Sequence, residues 1–155
     1  MVETFMREAI NLSLENVRSG HGGPFGAVVV RGDEIIGRGS NSVTARNDPT
    51  AHAEIVAIRL ACQTLGSFQL RDCELYASSE PCLMCLGAIY WARLRCYYYA
   101  NTRADASRAG FDDARIYDEI ATPAGHRSVP GARLVIPGAL QAFEEWMRAA
   151  VKQPY

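Results

Sequence analysis

Two short motifs thirty residues apart could do chemistry: His52-Ala53-Glu54 and Pro81-Cys82-Leu83-Met84-Cys85. His52, Cys82 and Cys85 are good zinc ligands, and Glu54 is a carboxylate that need not be one. A zinc ion held by one imidazole and two thiolates keeps its fourth tetrahedral position open. Water placed there loses a proton near neutral pH and can attack an electrophilic carbon. A free carboxylate beside that water can carry protons to the departing group.

The elements around the motifs suit this task. Asp48-Pro49 is a strong helix start, with Asp capping the free amides and Pro tolerated at the first helical position, so a helix is expected from there to about residue 65. Pro81 opens another, reaching about residue 92. Cys82 and Cys85 are three apart, which puts both sulfurs on one side of its first turn. The partial positive charge of that turn stabilises thiolates. His52 and Glu54 are two apart, roughly 200° around a regular helix. They share a site only if the pocket wraps the helix end or the first turn is irregular. Simpler readings exist for each piece. A lone C-x-x-C can be a redox dithiol, but those follow the first strand of a different α/β pattern. A closed structural zinc site has four ligands, and three are visible here. His52 alone would be an ordinary core histidine; its coincidence with Glu54 and the cysteine pair favours a catalytic zinc site.

The rest of the chain supplies the frame. Residues 4–18 have apolar residues at helical spacing, ended by Gly20, Gly22 and Gly23. Residues 25–31 and 34–40 are expected as a hairpin around Gly32-Asp33. Residues 41–47 are expected as a loop, with further strands at 75–78, 96–100 and 133–136. One or two short helices are expected within 104–119 and a final helix over 140–152, with Leu140, Phe143, Met147, Ala150 and Val151 on one stripe. A hairpin followed by alternating helices and strands implies a mixed sheet covered by helices on both faces.

At 155 residues, with 48% apolar and 21% charged residues, the chain suits one soluble domain. A net charge of −1 leaves no global basic field to gather a polyanion, which weighs against nucleic acid. No secretory leader precedes the first helix, and no apolar stretch is long enough to cross a bilayer. Five cysteines, an odd number without paired spacing, argue against a disulfide framework and for a reducing, cytoplasmic setting.

The pairing of H-x-E with P-C-x-x-C is the signature of zinc-dependent base deaminases. The chain resembles the cytidine deaminase superfamily, and within it the small bacterial guanine deaminases. The resemblance runs nearly end to end: Gly22-Gly23-Pro24-Phe25-Gly26-Ala27-Val28, Asn47 to Glu54, Glu80 to Ala92, Ala109-Gly110-Phe111-Asp112-Asp113 and a terminal Tyr155. It implies an α/β, three-layer αβα fold with a five-stranded mixed sheet. It also implies one Zn2+ per chain, Glu54 as proton shuttle and a homodimer. In that dimer a C-terminal segment, about residues 138–155, is exchanged with the partner, so that Tyr155 acts in trans. For the purine pocket it suggests Asn41 on the base edge, Phe25 and Trp91 as walls, and Asp113 on the amine or ring N–H groups. The implied reaction is hydrolysis of guanine to xanthine and ammonia.

The rivals are a tRNA adenosine deaminase, which shares Asp48 to Glu54 almost letter for letter, a deaminase of another base or triazine such as cytosine or ammeline, and a non-catalytic zinc-binding module. The helix reading Phe143-Glu144-Glu145-Trp146 lacks a phosphate-tracking face, which weighs against tRNA.

Overall fold

The computed structural model describes residues 2–111 and 113–154. Its elements run α1 (Val2–Arg18), β1 (Gly26–Arg31), β2 (Glu34–Ser40), α2 (Val43–Arg46), α3 (Ala53–Leu65), β3 (Cys73–Ser79), α4 (Leu83–Trp91), β4 (Cys96–Asn101), α5 (Arg103–Arg108), α6 (Ala114–Ala121) and α7 (Gln141–Arg148). The chain divides into two compact units after Ala114.

The first unit is built on a sheet of order β2-β1-β3-β4. β1 is antiparallel to both β2 and β3, whereas β3 and β4 run parallel, joined by α4. The sheet is therefore mixed, as the alternation of elements implies. β1 is buried on both faces, which its run of small and β-branched residues allows. Val28 and Val30 meet Phe5 of α1 and Tyr76 of β3 on one side. Ala27 and Val29 join Ala53, Ala57, Ile58 and Ile89 of α3 and α4 on the other. Helices thus cover both faces, giving the αβα layering.

α3 lies unusually close to the sheet. Ala53, Ala57 and Ala61 recur every fourth residue and have no exposed surface. They face Gly37 and Gly39 of β2. A Cβ on Gly39 would come within 2.1 Å of the Ala53 carbonyl oxygen, and one on Gly37 within 2.3 Å of the Ala57 carbonyl oxygen. Glycine on the strand and alanine on the helix set this distance, and with it the position of the α3 N-terminus.

Three local expectations are corrected. α3 begins at Ala53 instead of at Asp48. Asp48 closes a tight turn ahead of it, accepting from the Thr50 amide at 2.8 Å and the Thr50 hydroxyl at 2.7 Å. That Asx turn satisfies Asp48 locally, so it no longer caps the helix. The expected loop 41–47 contains the one-turn helix α2. The fifth strand at residues 133–136 does not form, and the described residues make a four-stranded sheet. A strand needs a ladder partner for its amides and carbonyls, and none pairs with this segment. Leu134, Val135 and Ile136 are exposed.

The second unit holds most of α6, a 3-10 turn at Ala124–His126 and α7. Within it the Ser128 amide donates to Glu119 at 2.9 Å and Arg127 Nε donates to the Thr122 carbonyl at 2.8 Å. α7 is shorter than expected and holds only Phe143 and Met147 of the expected stripe; these and Trp146 are exposed.

Candidate metal centre and active site

The two motifs meet at the N-termini of α3 and α4, and in both the first ligand occupies the capping position. His52 caps α3 with extended backbone (φ −67°, ψ 156°), and Cys82 caps α4 in the same way (φ −68°, ψ 171°). This removes the 200° difficulty. His52 stands outside the helix, so the helical period does not govern its direction, while Glu54 lies in the first helical turn. Cys85, in the first turn of α4, points back toward Cys82.

The three donor atoms form a nearly equilateral triangle. Cys82 Sγ lies 3.6 Å from His52 Nδ1, Cys85 Sγ lies 3.6 Å from His52 Nδ1, and the two sulfurs are 3.6 Å apart. Ligands on a tetrahedron with Zn–S bonds of ~2.3 Å and a Zn–N bond of ~2.1 Å stand roughly 3.5–3.8 Å from one another. The triangle therefore fits zinc. Among the described residues, no fourth His, Cys, Asp or Glu donor joins the cluster, so these side chains leave one tetrahedral position open.

The electrostatics point the same way. Hydrogen bonding from Cys85, then from His52, pulls the Cys82 thiol down to about 4, although burial opposes it. Cys85 is pushed far up, because it shares a proton with Cys82 and is itself buried. Two sulfurs in contact carry one negative charge between them unless a cation arrives to hold both as thiolates. His52 is raised by the same contact with Cys82. Glu54 is 7% exposed. Burial raises its carboxyl to about 7, with the nearby Cys82 charge adding to the effect and His52 opposing it. A divalent cation alongside favours its ionised form.

Above the triangle opens a cavity of about 270 Å³, near the lower limit for small-molecule sites. His52, Glu54 and Cys82 line it together with Phe25, Asn41 and Asp113. Asn41 is buried and tightly held. The Gly23 and Val43 amides both donate to its Oδ1 at 3.4 Å, and Asn16 Nδ2 donates to its backbone carbonyl at 2.9 Å. Backbone donors cannot flip, so they set the orientation of the amide and leave its Nδ2 as the group to offer a ligand.

Trp91 does not line this cavity. It is 62% exposed at the C-terminal end of α4, about 13 Å along the axis from the Cys82 end. The place of Trp91 as a wall of the purine pocket rests on the resemblance; the residues that line this cavity do not include it. Asp112 and Tyr155 lie outside the described residues, and so does the expected contact of Tyr155. Five further lining residues had been given no role in the site: Gly23, Val43, Thr44, Glu80 and Phe111. Glu80 directly precedes the Pro81-Cys82 pair, a signal that was available. It accepts from the Arg103 amide at 2.9 Å and faces the Arg103 guanidinium at 3.8 Å. Val43 and Thr44 come from α2, which had no visible signature.

Comparison with known proteins agrees with this geometry. Residues 1–101 match the family model of the cytidine and deoxycytidylate deaminase zinc-binding region. The chain is 52% identical over 153 residues to a guanine deaminase of Bacillus subtilis, covering 99% of this chain and 98% of that protein. The X-ray structure of the guanine deaminase from Bacillus subtilis superposes with a TM-score of 0.97 at 52% identity, covering 99% of this chain and 98% of the other. A tRNA-specific adenosine deaminase of Agrobacterium fabrum is 49% identical over 76 residues, 49% of this chain and 50% of that protein. With its His-Cys-Cys triangle and a matched region that contains every member of it, this chain belongs to the cytidine and deoxycytidylate deaminase zinc-binding family.

Proposed function

We propose that this protein hydrolyses guanine to xanthine and ammonia, with His52, Cys82 and Cys85 holding one zinc ion. The observation that carries the reading is the near end-to-end identity with a guanine deaminase, in a chain whose zinc triangle opens into a cavity of purine scale. When bound, zinc supplies Lewis acidity that brings the pKa of water toward neutrality. Glu54 is the proton carrier. It takes one proton from the attacking water and passes it to the ring nitrogen, then takes the second proton from the hydroxyl added to the ring carbon and delivers it to the amine that leaves as ammonia. Burial raises its carboxyl in the metal-free chain, and a divalent cation alongside favours the ionised form that accepts the first proton.

The remaining groups orient the base. Asn41 Nδ2 donates to an acceptor on the purine edge, Phe25 walls the ring, and Asp113 accepts from the amine or a ring N–H. A pocket built to hydrogen-bond such groups rejects bases that lack them, because its buried polar atoms would be left unpaired.

The exposed apolar stripe of α7 supports a homodimer. Phe143, Trp146 and Met147 are spaced to share one helix face, and a second copy of this chain is the partner that would cover it. In our reading residues from about 138 onward exchange between subunits, and Tyr155 closes the partner's pocket. The unpaired state of all five cysteines and the chemistry of zinc thiolates support a reducing, cytoplasmic setting, and the proposed reaction itself is a step of purine breakdown. No helix of the described residues is long and apolar enough to cross a membrane.

A second reading, deamination of adenosine in tRNA, draws on the likeness to the Agrobacterium protein. It is disfavoured because that likeness covers half the chain and α7 presents Glu144 and Glu145 where a phosphate-tracking face would be basic. Ammonia release from guanine, adenine, cytosine, ammeline and one tRNA anticodon hairpin tests both readings. Guanine alone, or guanine well above the rest, is the expected result. Release from the hairpin but not from guanine would overturn the proposal.

A further inference from the structure

The aromatic pair at the mouth of the site separates two cavities. Phe25 and Phe111 pack edge to face, with ring centroids 4.8 Å apart and planes at 83°. Both rings line the catalytic cavity of about 270 Å³. Both also line a neighbouring cavity of about 240 Å³, so each space has the same two rings as a wall. The neighbouring cavity is of different character. Ser79, Asn101 and Asp105 supply polar groups to it, whereas Phe25 and Phe111 supply apolar wall to the catalytic cavity.

The partition is held from above by Gly23. A Cβ at that position would meet Phe25 Cδ2 at 3.3 Å and Phe111 Cε1 at 3.5 Å, so the missing side chain leaves the two rings room to close on each other. Phe111 follows the short helix α5, and its amide donates to the Ala106 carbonyl at 3.1 Å. This backbone bond fixes where the ring starts. An edge-to-face pair of this kind gains from its ring geometry as well as from its burial, which holds the wall together.

We infer that the Phe25–Phe111 pair is the size filter of the site. It confines the substrate to an unsubstituted base and shuts out purines carrying a ring substituent, above all a hydroxylated one such as a glycosyl group. Removal of the Phe111 ring joins the two cavities into one cleft. Its far end is lined by Ser79 and Asn101; Asn101 Nδ2 already donates to the Ser78 carbonyl at 2.8 Å, which leaves its Oδ1 to accept from a hydroxyl of the substituent. Asp105 is less available, since it already accepts from the Thr102 amide and hydroxyl and pairs with Arg108. This inference rests on the purine reading of the pocket and deepens it by naming which purines are refused.

The test compares wild type with Phe111→Ala and Phe111→Leu, all zinc-loaded, on guanine, 9-ethylguanine and guanosine. The readouts are ammonia release and the inhibition constant of guanosine against guanine turnover. The expected result is a rise of at least tenfold in the ratio of kcat/KM for a substituted purine to that for guanine, or an equal fall in the guanosine inhibition constant, the scale set by one or two methylene-sized contacts. Both values staying within about threefold of wild type in a folded variant would overturn the filter. Leu retains an apolar plug and keeps the test alive if Ala does not fold. Zinc-loaded wild type that releases no ammonia from guanine would bring down the purine reading itself, a different failure.

Discussion

Replacing Gly39 by alanine tests whether the contact between β2 and α3 places the metal ligands. The new Cβ would lie 2.1 Å from the Ala53 carbonyl oxygen and 2.6 Å from the Ala57 amide nitrogen. Carbon–oxygen contacts settle at about 3.3 Å, so a gap of roughly 1 Å must open. Neither side yields easily. Gly39 is on the edge strand β2 but is paired to Ala27 of β1, and the obstacle is helix backbone instead of a flexible side chain. His52 immediately precedes Ala53, so a retreat of α3 carries its Nδ1 away from two sulfurs that now stand 3.6 Å off. Metal–ligand distances tolerate about 0.2 Å, several times less than the displacement. The overpacking should cost about 1–3 kcal/mol of stability, which corresponds to a Tm lower by roughly 2–12 °C. A misplacement of this size at a catalytic centre should lower kcat/KM by about 100-fold. The assay combines zinc per chain by elemental analysis, thermal unfolding and guanine turnover. Gly125→Ala is the control, since nothing lies within 4 Å of a Cβ there. Full zinc occupancy with turnover within about threefold of wild type in Gly39→Ala would refute the reasoning.

Glu54→Gln should retain zinc while turnover falls by about a thousandfold; activity within tenfold of wild type would remove Glu54 as proton carrier. The same variant has a second signature in zinc-stripped protein. Burial holds the folded Glu54 carboxyl at about 7 against an ordinary 4.5, so the folded state binds the extra proton between those values. Its stability is then fully present below about pH 4.5 and falls as pH rises through 7. At 1.36 kcal/mol per pH unit the loss is about 3 kcal/mol, and urea unfolding at pH 5 and pH 8 should show Glu54→Gln free of that component. Cys85→Ser and His52→Ala should each lose most of the zinc and nearly all turnover, read by elemental analysis and ammonia release; a zinc-replete variant would mean that another ligand substitutes. Changing Trp146 and Met147 together to Glu should shift the protein from dimer to monomer in light scattering, and deleting residues 152–155 should reduce guanine turnover. An unaltered dimer, or unaltered kinetics, counts against the exchanged tail.

Much of this was legible because it is local. Periodicity and turn chemistry placed α1, the β1–β2 hairpin and α4, and the residue types of His52, Cys82 and Cys85 named the metal before any contact was known. Other features were not local. Asp48 has the chemistry of a helix cap, but its bonds to Thr50 commit it to a turn, and the helix starts four residues later with His52 in the capping place. Residues 133–136 have strand-forming side chains, yet a strand exists only where a neighbour completes its ladder. Trp91 is aromatic and near the motif in number, but nine residues of helix carry it away from the cavity.

What the amino-acid order determined by itself was the inventory: three ligands, one spare carboxylate, and a helix that opens at the cysteine pair. What only the tertiary structure decided was their convergence. Two capping residues with extended backbone turn toward one point because glycines on β2 let α3 approach the sheet until backbone meets backbone. Phe25 and Phe111, far apart in number, close on each other beside it. Donor type is a property of single residues, whereas distance between donors is a property of packing.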